Sequence, residues 1–176
     1  PDGTTVAALV VVNAVGSTVD PVTGELYAAR FGLPGEFPSL GRVSEHDLAE
    51  ARSRAATAGA ALGLGPGLAT TIGVIATDAT LTKAQCAKVS GIGHDGMARA
   101  IRPVHTMFDG DTLFTLATGA RGAGGAPDPM AFHALLDAAG DCVTRAIGHA
   151  MLSARTVAPP TGEIRSLQDA FRSAFP

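Results

Sequence analysis

Two adjacent hydroxyls, Thr70 and Thr71, open a stretch that continues as Ile72-Gly73-Val74-Ile75-Ala76-Thr77-Asp78, with the composition of a buried strand. A threonine hydroxyl is a weak nucleophile at neutral pH and becomes effective when a base beside it takes its proton. A threonine freed at its amino end carries that base itself, because an α-amine has an ordinary pKa of about 7.7 to 8.0. The segment in front of Thr70, residues 59–68, holds so much Gly and Pro that neither helix nor sheet is firmly supported. A yielding leader that meets a rigid strand suits a peptide bond cut by the neighbouring hydroxyl, here between Ala69 and Thr70. The same residues also read as an ordinary loop-to-strand junction, since Thr is a good strand residue. Spacing alone allows either threonine.

Other residues with chemical capacity lie in two places. Asn13, the only asparagine, stands where an apolar strand hands over to a turn; its amide can donate to a developing oxyanion or simply shape the turn. Asp109-Gly110-Asp111, with His105 just before, puts two carboxylates and an imidazole in one short loop. Three donors without a spaced partner are an incomplete metal set, and two acids this close more often orient a cationic group or build a turn. His94 falls on an apolar helix face and reads as a core histidine satisfied by a hydrogen bond, while His133 and His149 read as helix-surface residues. The Gly-rich connector 121–127 lacks the Lys-Ser or Lys-Thr of a phosphate loop and reads as a surface loop. No cofactor and no metal is expected.

The elements that must hold these residues are those of an α/β chain. Residues 4–12 form an uninterrupted β-branched and apolar run, the signature of an interior strand covered on both faces. Residues 25–30 read as a short strand returning from the turn at Asp20-Pro21-Val22-Thr23-Gly24. Ser44 caps a helix that dissolves into the Gly-rich leader, and Asp47 stands three positions on, as in a capping box. The strand after Thr70 is followed by a helix capped by Thr82 and ended by Pro103, on which Asp95 and Arg99 are spaced to pair. A strand over 113–118 follows. Asp128-Pro129 then opens the longest helix, with Phe132, Leu136, Ala139, Val143, Ile147, Ala150 and Ala154 on one side. Ile164, Leu167, Phe171 and Phe175 suggest a short docking helix.

The totals narrow the function. A chain of 176 residues, 46% hydrophobic, is the size of one domain and long enough to bury a core. A net charge of -3, with Lys83 and Lys88 the only lysines, argues against nucleic acid as the main partner. The apolar run 6–12 is too short to cross a bilayer, so no membrane span is expected. Cys86 and Cys142 read as small buried residues rather than a bridge, which favours a reducing, cytoplasmic setting. With Trp absent and aromatics sparse, the core must rest on Ala, Val, Leu and Ile, small enough for helices to approach the sheet closely. Starting at Pro1 and entering a strand almost at once, the chain reads as cut from something longer, so that an upstream signal could lie outside it.

Three strings together resemble the L-aminopeptidase/D-amidase-esterase family, which includes the nylon-oligomer hydrolases. They are Val12-Asn13-Ala14-Val15-Gly16, Thr70-Thr71-Ile72-Gly73-Val74-Ile75-Ala76-Thr77-Asp78-Ala79, and Pro103-Val104-His105-Thr106-Met107-Phe108-Asp109-Gly110-Asp111-Thr112-Leu113-Phe114. The resemblance implies a self-processing hydrolase with a layered α-β-β-α sandwich, whose precursor cuts itself to free a terminal Thr or Ser. Carried over, it places the cut between Ala69 and Thr70, makes Thr70 rather than Thr71 the nucleophile, and sets Asn13, Asp109 and Asp111 beside it. Residues 1–69 then end the upstream chain and residues 70–176 form the nucleophile-bearing chain, both parts of one domain completed by an upstream portion of the precursor. The aminopeptidase branch usually has serine at the place of Asp109, which tilts this sequence toward the nylon-oligomer branch. Two departures stand out: Ala69 replaces the usual Asn or Gly before the cut, and a family lysine before the Asn13 strand has no counterpart. Small peptides or linear amide oligomers are the implied substrates, and a homo-oligomer is the expected assembly. An acyltransferase of the ornithine-acetyltransferase type and a non-catalytic relative are the competing readings.

Overall fold

The computed structural model describes residues 3–61, 69–122, 127–160 and 162–175. Three strands, β1 (Val6–Val11), β2 (Ile72–Thr77) and β3 (Thr112–Ala117), form one sheet in the order β1-β2-β3. β1 runs antiparallel and β3 parallel to the central β2. A parallel pair needs a crossover, and helix α2 (Lys83–Ala100) supplies it. Helix α1 (Glu45–Ala61) precedes β2, while α3 (Pro129–Ser153) and the short α4 (Leu167–Ala170) follow β3. The α/β class expected from the sequence is what the structure shows.

Side chains too small to hold the layers apart let α2 and α3 pack together over one sheet face. A Cβ on Gly96 of α2 would lie 2.3 Å from the carbonyl oxygen of Gly140 on α3. Fully buried Thr144 locks the crossing, its Oγ1 donating to the Gly96 carbonyl at 2.9 Å and lying 3.0 Å from that of Gly140. Gly93 likewise leaves room for Ile75 and Leu113 from the sheet, 2.6 and 2.7 Å from where its Cβ would be. Ile75, Val89, Met97, Ile101, Val143 and Ile147 make the centre of this core.

β1 corrects the expectation of an interior strand covered on both faces. It lies at the edge of the described sheet, and its residues alternate between half-buried and exposed. Leu9, 71% exposed, lies across from Val74 and Phe114, the latter 65% exposed, on a face that no described element covers. An apolar run is therefore matched here by one covered face and one open apolar face.

Residues 25–30 also differ from expectation, since Tyr27–Phe31 is a 3-10 turn and not a strand. Its Ala28 is fully buried against Gly148 of α3, and its Tyr27 ring carries the Arg102 guanidinium at 5.1 Å. Tertiary packing outweighs the local strand preference. Arg99 pairs with Asp141 of α3 at 2.7 Å instead of Asp95, and covers the Phe31 ring at 5.4 Å. Thr82 closes a full capping box with Gln85, and Asp128 accepts the amides of Met130 and Ala131. Ser44 caps α1 through the Asp47 amide at 3.2 Å, but the Ser44 amide donates to Ser173 Oγ and the Asp47 carboxylate accepts from Ser173, so the box is not closed. The leader before Thr70 lies outside the described residues at 62–68, as does the connector at 123–126. No helix among the described residues is long and apolar enough to cross a membrane.

The loop 33–38 is held on α3 by Glu36, whose carboxylate accepts from Arg145 Nε at 2.8 Å and meets His149 Nε2 at 2.8 Å. The Arg145 hydrogen bond, above all, holds the Glu36 carboxyl at about 2 against an ordinary 4.5, with the Leu33 amide and His149 assisting against the cost of burial. A depressed folded value means that the latch contributes fully above the unfolded value and is lost as pH falls through about 2. Glu36→Gln should lower the melting temperature at neutral pH by roughly a few degrees, and thermal melts should show the difference from the parent shrinking as pH approaches the folded value.

Candidate active site

The register of the sheet gathers the singled-out residues at one end. Val11, Ile72 and Thr112 lie side by side across the three strands. Because β1 runs against its neighbours, its exit and the entries of β2 and β3 share that edge. Asn13, Thr70 and Gly110, two residues beyond that row in each strand, therefore lie together.

At this edge the peptide joining Ala69 to Thr70 is clamped against the loop before β3. Ala69 and Asp109 form an isolated parallel bridge, in which the Ala69 amide donates to the Phe108 carbonyl at 2.9 Å and the Gly110 amide donates to the Ala69 carbonyl at 2.8 Å. The Thr70 hydroxyl also donates to that carbonyl oxygen, at 2.7 Å. One carbonyl oxygen thus receives both the hydroxyl of the next residue and the amide of Gly110. Gly110 leaves room for this hydroxyl: a Cβ there would sit 2.8 Å from Thr70 Oγ1.

The two threonines are told apart by their surroundings. Thr71 is fully buried, and its Oγ1 accepts the Asn13 amide at 3.3 Å, so it fastens the end of β1 to the start of β2. Thr70 is exposed, with its hydroxyl on the clamped peptide. Asn13 is joined to the site through this backbone amide, with the residue itself exposed at the strand end.

The two carboxylates are adjacent in sequence space but differently employed. Asp111, its side chain 2% exposed, accepts the Thr71 amide through Oδ1 at 2.7 Å and His105 Nδ1 through Oδ2 at 2.8 Å. Asp109 accepts the Val15 amide at 3.2 Å through Oδ1, and the Thr106 amide and hydroxyl at 2.9 and 2.7 Å through Oδ2. Burial works against the Asp109 charge, yet these three hydrogen bonds outweigh it and hold the carboxyl below the usual carboxylate range. Asp109 thereby ties the turn after Asn13 to the loop before β3, a scaffold for Thr70 rather than a direct neighbour of its hydroxyl. Sequence reading did not single out Thr106, and it treated His94 as a core residue. His94 is half-buried, and its Nδ1 lies 3.1 Å from Nε2 of His105. The signal available was the crowding of His105, Thr106, Asp109 and Asp111 in one loop.

A hydroxyl on a clamped peptide at a strand start, with the loops around it braced by Asp109 and Asp111, is an arrangement suited to acyl transfer, and sequence comparison gives it a family. Residues 1–165 match the sequence profile of peptidase family S58, and the chain belongs to that family. It is 40% identical over 181 residues to an uncharacterized aminopeptidase of Mycobacterium tuberculosis, covering 98% of this chain and 50% of that protein. An uncharacterized aminopeptidase of Mycobacterium leprae is 43% identical over 164 residues, covering 89% of this chain and 42% of the relative. The chain thus spans about half the length of the curated relatives it matches. Among solved structures, the L-aminopeptidase D-Ala-esterase/amidase of Ochrobactrum anthropi aligns over 58% of this chain and 33% of its own, at 21% identity and a TM-score of 0.48. A Burkholderia sp. beta-aminopeptidase aligns over 60% of this chain and 35% of its own, at 24% identity and a TM-score of 0.47.

Proposed function

We propose that this chain is the nucleophile-bearing part of a self-processing amide hydrolase, in which Thr70 first cuts the bond that precedes it and then serves as an amino-terminal nucleophile. The observation that carries the reading is the Ala69 carbonyl, which receives the Thr70 hydroxyl at 2.7 Å and the Gly110 amide at 2.8 Å.

In processing, Thr70 Oγ attacks the Ala69 carbonyl carbon; the C–O bond forms as the Gly110 amide takes the developing oxyanion charge. The C–N bond to Thr70 then breaks, the hydroxyl proton goes to the departing nitrogen, and water hydrolyses the ester to an Ala69 carboxylate. Removing the peptide bond turns the Thr70 nitrogen into an amine that can accept the hydroxyl proton, so cleavage is also activation. In hydrolysis the same Oγ attacks a substrate amide, the amine passes its proton to the leaving nitrogen, and water releases the acyl group. Asn13, at the same sheet edge, is the side-chain donor for the substrate oxyanion. Asp111 fixes the strand immediately after Thr70, and Asp109 fixes the two loops that frame it. Residues 1–69 end one chain of the processed protein and residues 70–176 belong to the other.

The open apolar face of β1, β2 and β3 fits the second sheet of an α-β-β-α sandwich, contributed by an upstream portion of the precursor. Small peptides or linear amide oligomers are the proposed substrates, and a homo-oligomer in the cytoplasm the proposed setting. The full-length protein, incubated with alanine p-nitroanilide, should release nitroaniline with water as acceptor. Quantitative transfer of the alanyl group to an added amine, without hydrolysis, would instead make it an acyltransferase; absence of both reactions would count against catalysis.

A further inference from the structure

His105 and His94 continue the Asp111 hydrogen bonds away from Thr70 and onto α2. His105 has φ 56, a left-handed conformation uncommon for a residue with a side chain, and both of its ring nitrogens are engaged. Nδ1 meets Asp111 Oδ2 at 2.8 Å, Nε2 meets His94 Nδ1 at 3.1 Å, and the two rings meet edge to face with centroids 4.7 Å apart. With Asp111 Oδ1 on the Thr71 amide at 2.7 Å, four groups form an unbroken line from α2 to the residue after Thr70.

We infer that His94 and His105 are positioning residues for the proposed reaction, acting as one hydrogen-bonded unit that orients Asp111 and through it the Thr70–Thr71 peptide. This inference rests on the hydrolase reading of Thr70. Proton accounting shows why both rings are needed. An ionised Asp111 accepts only, so His105 must present Nδ1–H to it. Neutral His105 then offers a bare Nε2, and His94 must answer with Nδ1–H. If the unit gains one proton, His105 presents N–H at both ends and His94 moves its proton to Nε2. A second proton would set two N–H groups facing one another across the gap, so the hydrogen bond between the rings ties the tautomer of one to that of the other. Burial, then the neighbouring His105, lowers the His94 pKa, while Asp111 and Asp95 oppose this. Asp109 is the further charge near His105.

The alternative is that His94 merely fills space, and two substitutions in the full-length protein separate the cases. His94→Asn keeps a group able to donate to or accept from His105 Nε2; His94→Phe keeps a ring and loses the hydrogen bond. Assayed on alanine p-nitroanilide, His94→Phe should lose on the order of 10- to 100-fold in kcat with KM nearly unchanged, and His94→Asn should recover most of the loss. Parental kcat in His94→Phe, or no advantage of Asn over Phe, would overturn the inference. Nitrogen-15 NMR of the histidine rings provides a readout independent of turnover: the parent should show a protonated His105 Nδ1 hydrogen-bonded to a carboxylate, and Asp111→Asn, which removes that carboxylate, should change the ring-nitrogen signals of both His105 and His94. Unchanged ring signals in Asp111→Asn would break the chain whatever the activity. A processed and active Thr70→Ala protein, beside the expected NMR behaviour, would refute the hydrolase reading alone.

Discussion

Thr70→Ala, made in the full-length protein, is expected to leave the chain uncut at residue 69 and without hydrolytic activity. Alanine removes the hydroxyl proposed to attack the Ala69 carbonyl, whose oxygen lies 2.7 Å from Thr70 Oγ1. It also leaves the strand intact, because the neighbouring anchors belong to other groups: Asp111 holds the Thr71 amide and Thr71 holds the Asn13 amide. Loss of a nucleophile that acts with its own base costs on the order of 10⁶-fold in kcat, so any residual turnover should be undetectable. Thr70→Ser keeps the oxygen and should still process. Thr71→Ala is the informative contrast, since Thr71 is fully buried; that variant should lose stability but still cut before residue 70. Denaturing electrophoresis, a p-nitroanilide assay and thermal melts on the three variants check these outcomes.

Gly110→Ala is expected to stop or severely slow self-cleavage while leaving the protein folded. The added methyl would stand 2.8 Å from Thr70 Oγ1, so either the hydroxyl rotates off the Ala69 carbonyl or the loop retreats and lengthens the hydrogen bond from the Gly110 amide. The first displaces the nucleophile and the second weakens the donor that receives the oxyanion. Loss of one such donor typically costs about 10²- to 10³-fold. Gly110 does not lie in the left-handed region, so alanine carries no conformational penalty that would confuse the result. The check is the cleavage rate of freshly refolded protein, with circular dichroism to verify the fold.

Much of the fold was legible in the sequence because local chemistry and tertiary packing agree there. Thr82 and Asp128 cap α2 and α3 as their types and positions suggest, and β2 begins directly after the paired threonines. The misreadings arose where packing overrules local preference. A run such as Val6–Val11 cannot reveal how many of its faces a described neighbour covers, and Tyr27–Phe31 is a turn because Ala28 is driven into the helix layer. At the site, the strings around Asn13, Thr70 and Asp109 pointed to residues that the sheet brings to one edge, yet not to the hydrogen bonds each makes there. The order, direction and register of the strands make the edges converge, and through that convergence Gly110 and the Ala69 carbonyl meet. His94 shows the same limit, being separated in sequence by the end of α2 from the loop whose His105 it meets.

Whether Thr70 cuts the bond before it is decided by determining the amino-terminal residue of the fragment that carries β2 in purified full-length protein. Two fragments are expected, with Thr70 as the first residue of that one. A chain that stays intact through prolonged incubation under folding conditions, or a fragment beginning at Thr71 or elsewhere, would contradict it.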